Sequence, residues 1–316
     1  MSLQFRDYRP STEDFYSAII DGLSKEPKQL SPKWFYDETG SRLFDEICHQ
    51  PEYYIPDAER EIFETYAEEI IECLGEDCLI IEPGAGSSEK IRFFLNRMKP
   101  AMYLPMDISA DYLQSSAERL SDEYRELDIY ALCLDHTKPY ELPKSIPTEN
   151  RVFFYPGSSL GNLDKPDALK FLYDMRLKAG KQGGLLIGID TKKHKSILDN
   201  AYNDAAGITA SFNLNILKRI QHELDTNLEH DTFQHTAFYN ESAGRIEMHL
   251  SSSVKQQISI SDHDFVFNGG ETIHTESSYK YSTQEFIQIA SQTGWRSNKV
   301  WSDTKNLFSV HYFTSY

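Results

Sequence analysis

The sequence predicts an α/β protein: a largely parallel sheet flanked by helices, with a second lobe of mixed α and β structure. Three observations predict it. Short apolar runs alternate with helical patterns from Cys78 to Asp190. Several of those runs end in an acid followed by a turn. Beyond Asp190 the alternation stops, and a long half-exposed strand pattern takes its place. Strands alternating with helices build parallel sheets, and such sheets bind ligands at the carboxyl ends of their strands. A length of 316 residues admits two domains at roughly 150 residues each.

Taken in order, Phe15 to Leu23 has the apolar spacing of a helix, and residues 59–74 form an amphipathic helix with Ile62, Tyr66, Ile70 and Leu74 near one face. CLIIE (78–82) reads as a first strand, followed by the turn PGAGSSEK and a helix from Ser88 to Met98. AMYLPMD (101–107), IYALCLD (129–135), RVFFYPG (151–157) and GGLLIGID (183–190) read as further strands, with helices at Ala110–Leu120 and Pro166–Leu177. Residues 195–225 read as one helix, 245–260 as one long strand, and Ile273 to Tyr281 as another. A helix over 283–293 and strands at Lys299–Trp301 and Leu307–Tyr316 close the chain. The expected partition is discontinuous: a sheet domain of 58–193 plus 281–316, and a second domain of 1–57 plus 194–280.

Composition excludes several classes of function. An apolar content of 40% supports a core, so global disorder is excluded. A net charge of −17 argues against nucleic acid or an anionic membrane as the main partner. Cys48, Cys73, Cys78 and Cys133 make no CxxC, and the ten histidines show no HExxH or paired spacing, so neither a disulfide framework nor a metal site is expected. The opening MSLQFRDYRPSTEDF has no apolar core, and no run approaches the roughly 20 apolar residues of a membrane span. A soluble cytoplasmic protein is the expectation, and nothing in the sequence demands more than a monomer.

The sharpest motif is IIEPGAGSSEK. Glu82 ends a buried strand, Gly84 and Gly86 permit a tight turn and close approach of a ligand, and a helix begins at once. The spacing is not the GxGxxG of dinucleotide binders, which disfavours NAD. Asp107 ends the next strand, where a carboxylate can accept both hydroxyls of a ribose. Asp135 ends the third, where it can receive an adenine amino group. Acids at three successive strand ends around a glycine turn suit S-adenosylmethionine, which has no pyrophosphate to neutralise and carries a sulfonium cation. Lys90 reads equally as the partner of a cofactor carboxylate or as a solvated helix lysine.

Six segments together resemble one family. They are PKWFYDETGSRLFDEICHQPEYY (32–54), IEPGAGSSEK (81–90), GSSLGNL (157–163), AYNDAAGITASFNLN (201–215), RIEMHL (245–250) and TESSYK (275–280). In order and along essentially the whole chain, they resemble the histidine Nα-methyltransferases of ergothioneine biosynthesis. The resemblance implies a Rossmann-like class I S-adenosylmethionine-dependent methyltransferase domain with a second, substrate-binding domain, and trimethylation of the α-amino group of L-histidine to hercynine. It implies that Tyr36 and Asn162 contact the substrate amino group, one of them through water, and that both are catalytic. It further implies that Tyr53 and Tyr202 hold the carboxylate, that Glu276 and Ser278 grip the imidazole, and that Met248, Phe44 and Gly157 line the pocket. For the cofactor it implies Gly84, Lys90, Asp107, Asp135 and His136, with Glu82 and Gly86 in the same turn. The sequence departs from the family at the turn, where Pro83 and Ala85 separate the shared positions. It departs again at His136, which stands where an aromatic residue is expected.

The residue types suit this chemistry. On a strand, Glu276 and Ser278 point to one face and can meet one ring. Taken singly, Tyr53 reads as a core aromatic, Asn162 as a turn residue, Glu276 as a solvated charge and Met248 as core; only the joint pattern points to a site. A methyltransferase of the same fold acting on another amino acid is the nearest alternative. The Glu276–Ser278 pair argues against an indole or phenol substrate. A non-catalytic S-adenosylmethionine-binding protein leaves Tyr36, Tyr53, Asn162 and Tyr202 unexplained.

Overall fold

The computed structural model describes residues 3–8 and 12–316. Its strands are β1 (Leu3–Asp7), β2 (Leu79–Pro83), β3 (Met102–Asp107), β4 (Ile129–Cys133), β5 (Arg151–Tyr155), β6 (Gly184–Asp190), β7 (Phe233–Asn240), β8 (Arg245–Ser252), β9 (Gln256–Ile260), β10 (His263–Phe267), β11 (Thr272–Tyr279), β12 (Trp295–Ser302) and β13 (Phe308–Ser315). Its helices are α1 (Thr12–Leu23), α2 (Glu38–Ile47), α3 (Ile55–Thr65), α4 (Ala67–Leu74), α5 (Glu89–Leu95), α6 (Ala110–Glu123), α7 (Lys165–Ala179), α8 (Lys195–Ala201), α9 (Ile208–Glu223) and α10 (Thr283–Gln292). Among the described residues, no helix is long and apolar enough to cross a membrane.

The chain divides into two compact units. One comprises Ile55–Lys192 and Tyr279–Tyr316 together with β1; the other comprises α1 through Tyr54 and Lys193–Ser278. The first is built on one eight-stranded sheet in the order β1-β4-β3-β2-β5-β6-β13-β12. The six strands from β1 to β6 run parallel, and β13 and β12 join them antiparallel. Strands β2, β4, β5 and β6 are buried from end to end, which is why they read as unbroken apolar runs. The strand order reverses between β2 and β5, the kind of switch point where open α/β sheets bind ligands. Ile81, Leu104, Phe153, Ile187 and Phe313 of the sheet pack with Leu172 and Met175 of α7 and Phe286 of α10. Trp295, fully buried, donates its indole N–H to Leu172 O at 2.9 Å.

The insertion leaves this unit after β6 and returns before α10. Thr191 and Tyr281 form a parallel bridge there. Lys280 Nζ meets Asp190 at 2.6 Å with both side chains fully buried. A buried pair of this kind costs several kcal/mol if one partner is removed.

In the second unit, β11-β8-β7 form a three-stranded sheet and β9 and β10 a hairpin. Helix α9 packs against α2 and β7. Asp37 caps α2, its Oδ1 accepting from Gly40 N at 2.7 Å and from Asn215 Nδ2 at 2.8 Å. Asn215 also lies 3.3 Å from Phe35 O, so α9 clamps the WFYD segment from both sides of Tyr36. A side chain at Gly40 would strike Phe35 O at 1.7 Å.

Several expected elements differ from those observed. The single helix over 195–225 is two, α8 and α9, because Asp204 accepts from Ile208 N and Thr209 N, each at 2.8 Å, and starts a new helix after Gly207 at φ 73°. The amphipathic helix over 59–74 breaks at Tyr66 into α3 and α4. The long strand over 245–260 is two strands in different sheets, β8 and β9. Strands β7 and β10 carry no clear period in the sequence. Residues 3–7, grouped by sequence with the second domain, instead pair with β4 as the edge of the large sheet; only alternate side chains are even half-buried, so the apolar signal is faint.

A side chain at Gly188 would meet Glu59 Oε1 at 2.4 Å and the Phe308 ring at 2.7 Å. Gly188→Ala is expected to destabilise the protein by about 2 kcal/mol or more through overpacking; a denaturant titration with an unchanged midpoint would contradict this.

Candidate active site

In the sheet unit, the chain turns sharply after β2. Gly84 and Gly86 have φ of 70° and 52°. A Cβ at Gly86 would meet nothing within 4 Å, so the left-handed backbone, not crowding, requires glycine there. The turn is tied down by Ala85 N to Met106 O and Gly86 N to Asp107 Oδ2, both at 2.9 Å. Asp107 Oδ1 accepts from Ser109 N at 3.0 Å. Asp107 therefore locks the glycine turn to β3 and keeps its remaining lone pairs at the carboxyl end of the sheet. Asp135 Oδ1 accepts from Thr137 N at 3.1 Å and from its hydroxyl at 2.5 Å. His136 stands beside Gly84, its Cε1 3.5 Å from where a Cβ would be, and its ring packs on Tyr155 and Phe171. Burial holds its pKa below the usual imidazole value, so it is neutral at physiological pH.

Glu82 takes a different place from the one expected. It is buried, and its Oε2 accepts from the Tyr103 hydroxyl at 2.6 Å, with Ser88 Oγ 3.1 Å from that hydroxyl. Burial pushes its pKa up to about 8, against the opposing pull of the Tyr103 hydrogen bond and Lys90. Its carboxyl group braces β2 against β3 beneath the turn.

Glu59 on α3 carries no distinguishing signal in the sequence. It is 1% exposed, yet its two oxygens take Lys90 Nζ at 2.7 Å and Gly157 N at 2.8 Å. Gly157 has φ 76°, and a Cβ there would lie 2.8 Å from Lys90 Nζ. Next to it, Ser158 Oγ accepts from Asp190 N at 2.8 Å, which anchors the short helical turn Ser159–Asn162. Asn162 ends that turn and is half-buried.

The second unit brings together most of the other predicted residues. Tyr36 packs on Phe44 with ring centroids 5.8 Å apart, Phe44 on Tyr53 at 6.4 Å, and Tyr53 on Tyr202 at 6.1 Å. Phe212 of α9, which helical periodicity marks only as core, touches Phe35, Tyr36 and Phe44. The Tyr202 hydroxyl donates to Ser278 Oγ at 2.9 Å. Burial foremost, then Tyr202, Cys48, Tyr36 and Glu276, hold the Tyr53 hydroxyl well above its ordinary pKa, so it stays a proton donor. Glu276 is thus near enough to act on Tyr53, and both are buried. Met248 is buried on β8, its carbonyl accepting from Thr275 Oγ1 at 3.0 Å.

The donor set fits S-adenosylmethionine: a bare glycine turn, carboxylates at strand ends, a lysine, and a neutral ring with an orphaned nitrogen. That nitrogen, His136 Nδ1, is buried and has no hydrogen-bond partner; an adenine edge would supply one. Sheet and turn together define a methyltransferase of the S-adenosylmethionine-dependent class. The model of the histidine-specific, S-adenosylmethionine-dependent methyltransferases matches residues 15–315, and the chain belongs to that family. It is similar to the histidine N-alpha-methyltransferase of Mycolicibacterium smegmatis, 36% identical over 92% of this chain and 91% of that protein. The corresponding enzyme of Mycobacterium tuberculosis is 34% identical over 92% of each chain. The L-tryptophan methyltransferase trpM of Psilocybe serbica is 26% identical over 93% and 91%.

The Glu82 carboxyl binds its proton more tightly in the folded protein than in the unfolded chain. Its contribution to stability is therefore fully present below the ordinary carboxylate pKa and is lost as pH rises toward about 8. Glu82→Gln is expected to gain stability relative to the parent, by several degrees in melting temperature, between pH 5 and pH 8.5. Parallel melting curves for the two proteins would show this reading to be wrong.

Proposed function

We propose that this enzyme trimethylates the α-amino nitrogen of L-histidine, giving hercynine as in ergothioneine biosynthesis. The observation that carries this reading is the buried hydroxyl-and-carboxylate group in the second unit. Tyr202 is hydrogen-bonded to Ser278, and Tyr53 and Glu276 lie beside them, walled by Phe44 and Tyr36. Such a group matches an imidazole at one end and a carboxylate at the other.

Ser278 and Glu276 take the two ring nitrogens, Glu276 accepting an N–H. Tyr53 donates to the substrate carboxylate, and Tyr202 joins it once its hydroxyl turns from Ser278. Two neutral hydroxyls bind that anion without placing a positive charge near a sulfonium, which an arginine would do. Met248 is assigned to the wall of that buried group. Tyr36 and Asn162 address the amino group. The Asn162 carbonyl oxygen accepts from the amine and aims its lone pair, but cannot take its proton. An α-amino group has a pKa of roughly 8 in peptides and a higher one in a free amino acid; burial beside a cationic co-substrate disfavours the charged form, and the proton can pass to water. When bound, S-adenosylmethionine would supply an electrophilic sulfonium methyl open to in-line attack, with the neutral thioether S-adenosylhomocysteine as leaving group. Holding the nitrogen close and aligned provides a large part of the rate. The faces of Tyr36, Phe44 and Tyr53 suit the quaternary ammonium that accumulates over three rounds.

On the sheet, Asp107 is assigned the ribose hydroxyls, Asp135 and His136 the adenine, and Lys90 the methionyl carboxylate. Gly84 and Gly86 give that ligand its close approach. Glu82 supports the turn from below.

Glu276→Ala is expected to weaken histidine binding by about tenfold to a hundredfold, the range for losing a charged hydrogen bond, while S-adenosylmethionine affinity stays unchanged. Calorimetry with each ligand separates the two, and unchanged histidine affinity refutes the assignment. Incubating the enzyme with labelled S-adenosylmethionine and each of the twenty amino acids, read by mass, tests the substrate itself. Three added methyls on histidine alone support the proposal; methylation of another amino acid in preference overturns it.

A further inference from the structure

The geometry points to a second ligand site, for a divalent transition-metal ion of the Zn2+ class, formed by Glu247, His249 and His274 in the three-stranded sheet. One ligand atom from each of these residues lies within 4.8 Å of the other two. Around a tetrahedral zinc with bonds of about 2.0–2.2 Å, ligand atoms stand about 3.4 Å apart, so side-chain adjustments small beside their length would close the set.

His274 lies on β11 two residues before Glu276, and Glu247 and His249 lie on β8. Asn213 of α9 bonds the His235 ring at 2.9 Å. His235 pairs with Leu250, and Thr236 with His249. Strand alternation therefore sends His235, Leu250 and Met248 to the α9 face, and Glu247 and His249 to the opposite one. Phe238 on that opposite face stacks flat on the His249 ring, with centroids 5.5 Å apart and planes at 6°. The two imidazoles, His249 and His274, stand 4.9 Å apart.

Hydrogen bonding has prepared the donors. His274 Nε2 lies 3.0 Å from Glu276 O, a group that only accepts, so the proton sits on Nε2 and the lone pair on Nδ1. A ligating histidine is commonly oriented this way, its other nitrogen donating to a backbone carbonyl. Glu247 Oε1 accepts from Arg245 Nε at 2.9 Å and Asn240 Nδ2 at 3.1 Å. Arg245 and Asn240 thereby fix the carboxylate and leave Oε2 turned toward His249 Nε2, 3.2 Å away. His249 Nδ1 is buried with no hydrogen-bond partner. With the proton on Nε2, a buried lone pair on Nδ1 goes unused. With the proton on Nδ1, two acceptors, Nε2 and Oε2, confront each other. A cation held by Nε2 and Oε2 would remove that confrontation, with the proton kept on Nδ1. A set of two imidazoles and one carboxylate, with no thiolate and water to complete it, suits zinc, copper or nickel over calcium or magnesium. The residue spacing hides this set, because 25 positions separate the two histidines along the chain.

The test uses the enzyme as the whole 316-residue chain, stripped with chelator and titrated with Zn2+ in a calorimeter. One ion per chain with a micromolar or tighter Kd is expected, weakened at least tenfold in His249→Ala and again in His274→Ala. S-adenosylmethionine affinity, measured on the same variants, is expected to stay at the parental value and reports an intact fold. X-ray absorption of the loaded parent should show nitrogen and oxygen neighbours only. Failure of the parent to bind zinc overturns the proposal, as does undiminished binding in either variant or a sulfur neighbour to the metal.

Discussion

The sheet unit depends on one buried carboxylate. Glu59 sits almost without exposure between a lysine and a backbone amide, and the strand β6 alongside must carry a bare glycine to admit it. A charge in that position is tolerable only because both oxygens are engaged. In return it joins three pieces that are far apart in sequence: α3, the helix following the glycine turn, and the loop after β5. Lys90 is thereby held at a fixed height before any ligand arrives, and Gly157 keeps a backbone angle that a larger residue would resist. Preorganisation of this kind places donors without further ordering cost when the ligand binds.

The second unit meets a different demand. Its proposed recognition group is mostly aromatic, burial keeps the Tyr53 hydroxyl protonated, and Glu276 is buried as well. The WFYD segment that carries Tyr36 has no regular element of its own beyond a single helical turn. It is held instead by Asp37 and Asn215, so that α9 serves as a splint for residues nearly 180 positions earlier.

Much of this was legible in the sequence, and what was not has identifiable causes. The β2 strand, its glycine turn and the acids at the ends of β3 and β4 stand out because burial on both faces leaves continuous apolar runs and because only glycine tolerates the turn. Glu59 stayed hidden because it lies in a helix full of acids, and nothing local distinguishes the one that turns inward. The break between α8 and α9 was missed because apolar spacing continues through it; Asp204 overrides the period by capping. Edge strand β1 was missed because most of its side chains face solvent. The aromatic group came from resemblance across six segments rather than from any one of them, since single tyrosines carry little local signal.

The insertion leaves β6 at Asp190 and rejoins at Lys280, and these two residues are locked together by a fully buried ion pair beside the Thr191–Tyr281 bridge. Entry and exit are therefore adjacent, and the sheet closes over the junction whatever lies between. The 89 residues between them can lengthen or be exchanged without disturbing the strand order of the sheet. A lineage built this way can acquire new substrates by rewriting one cassette while inheriting its methyl-donor chemistry intact.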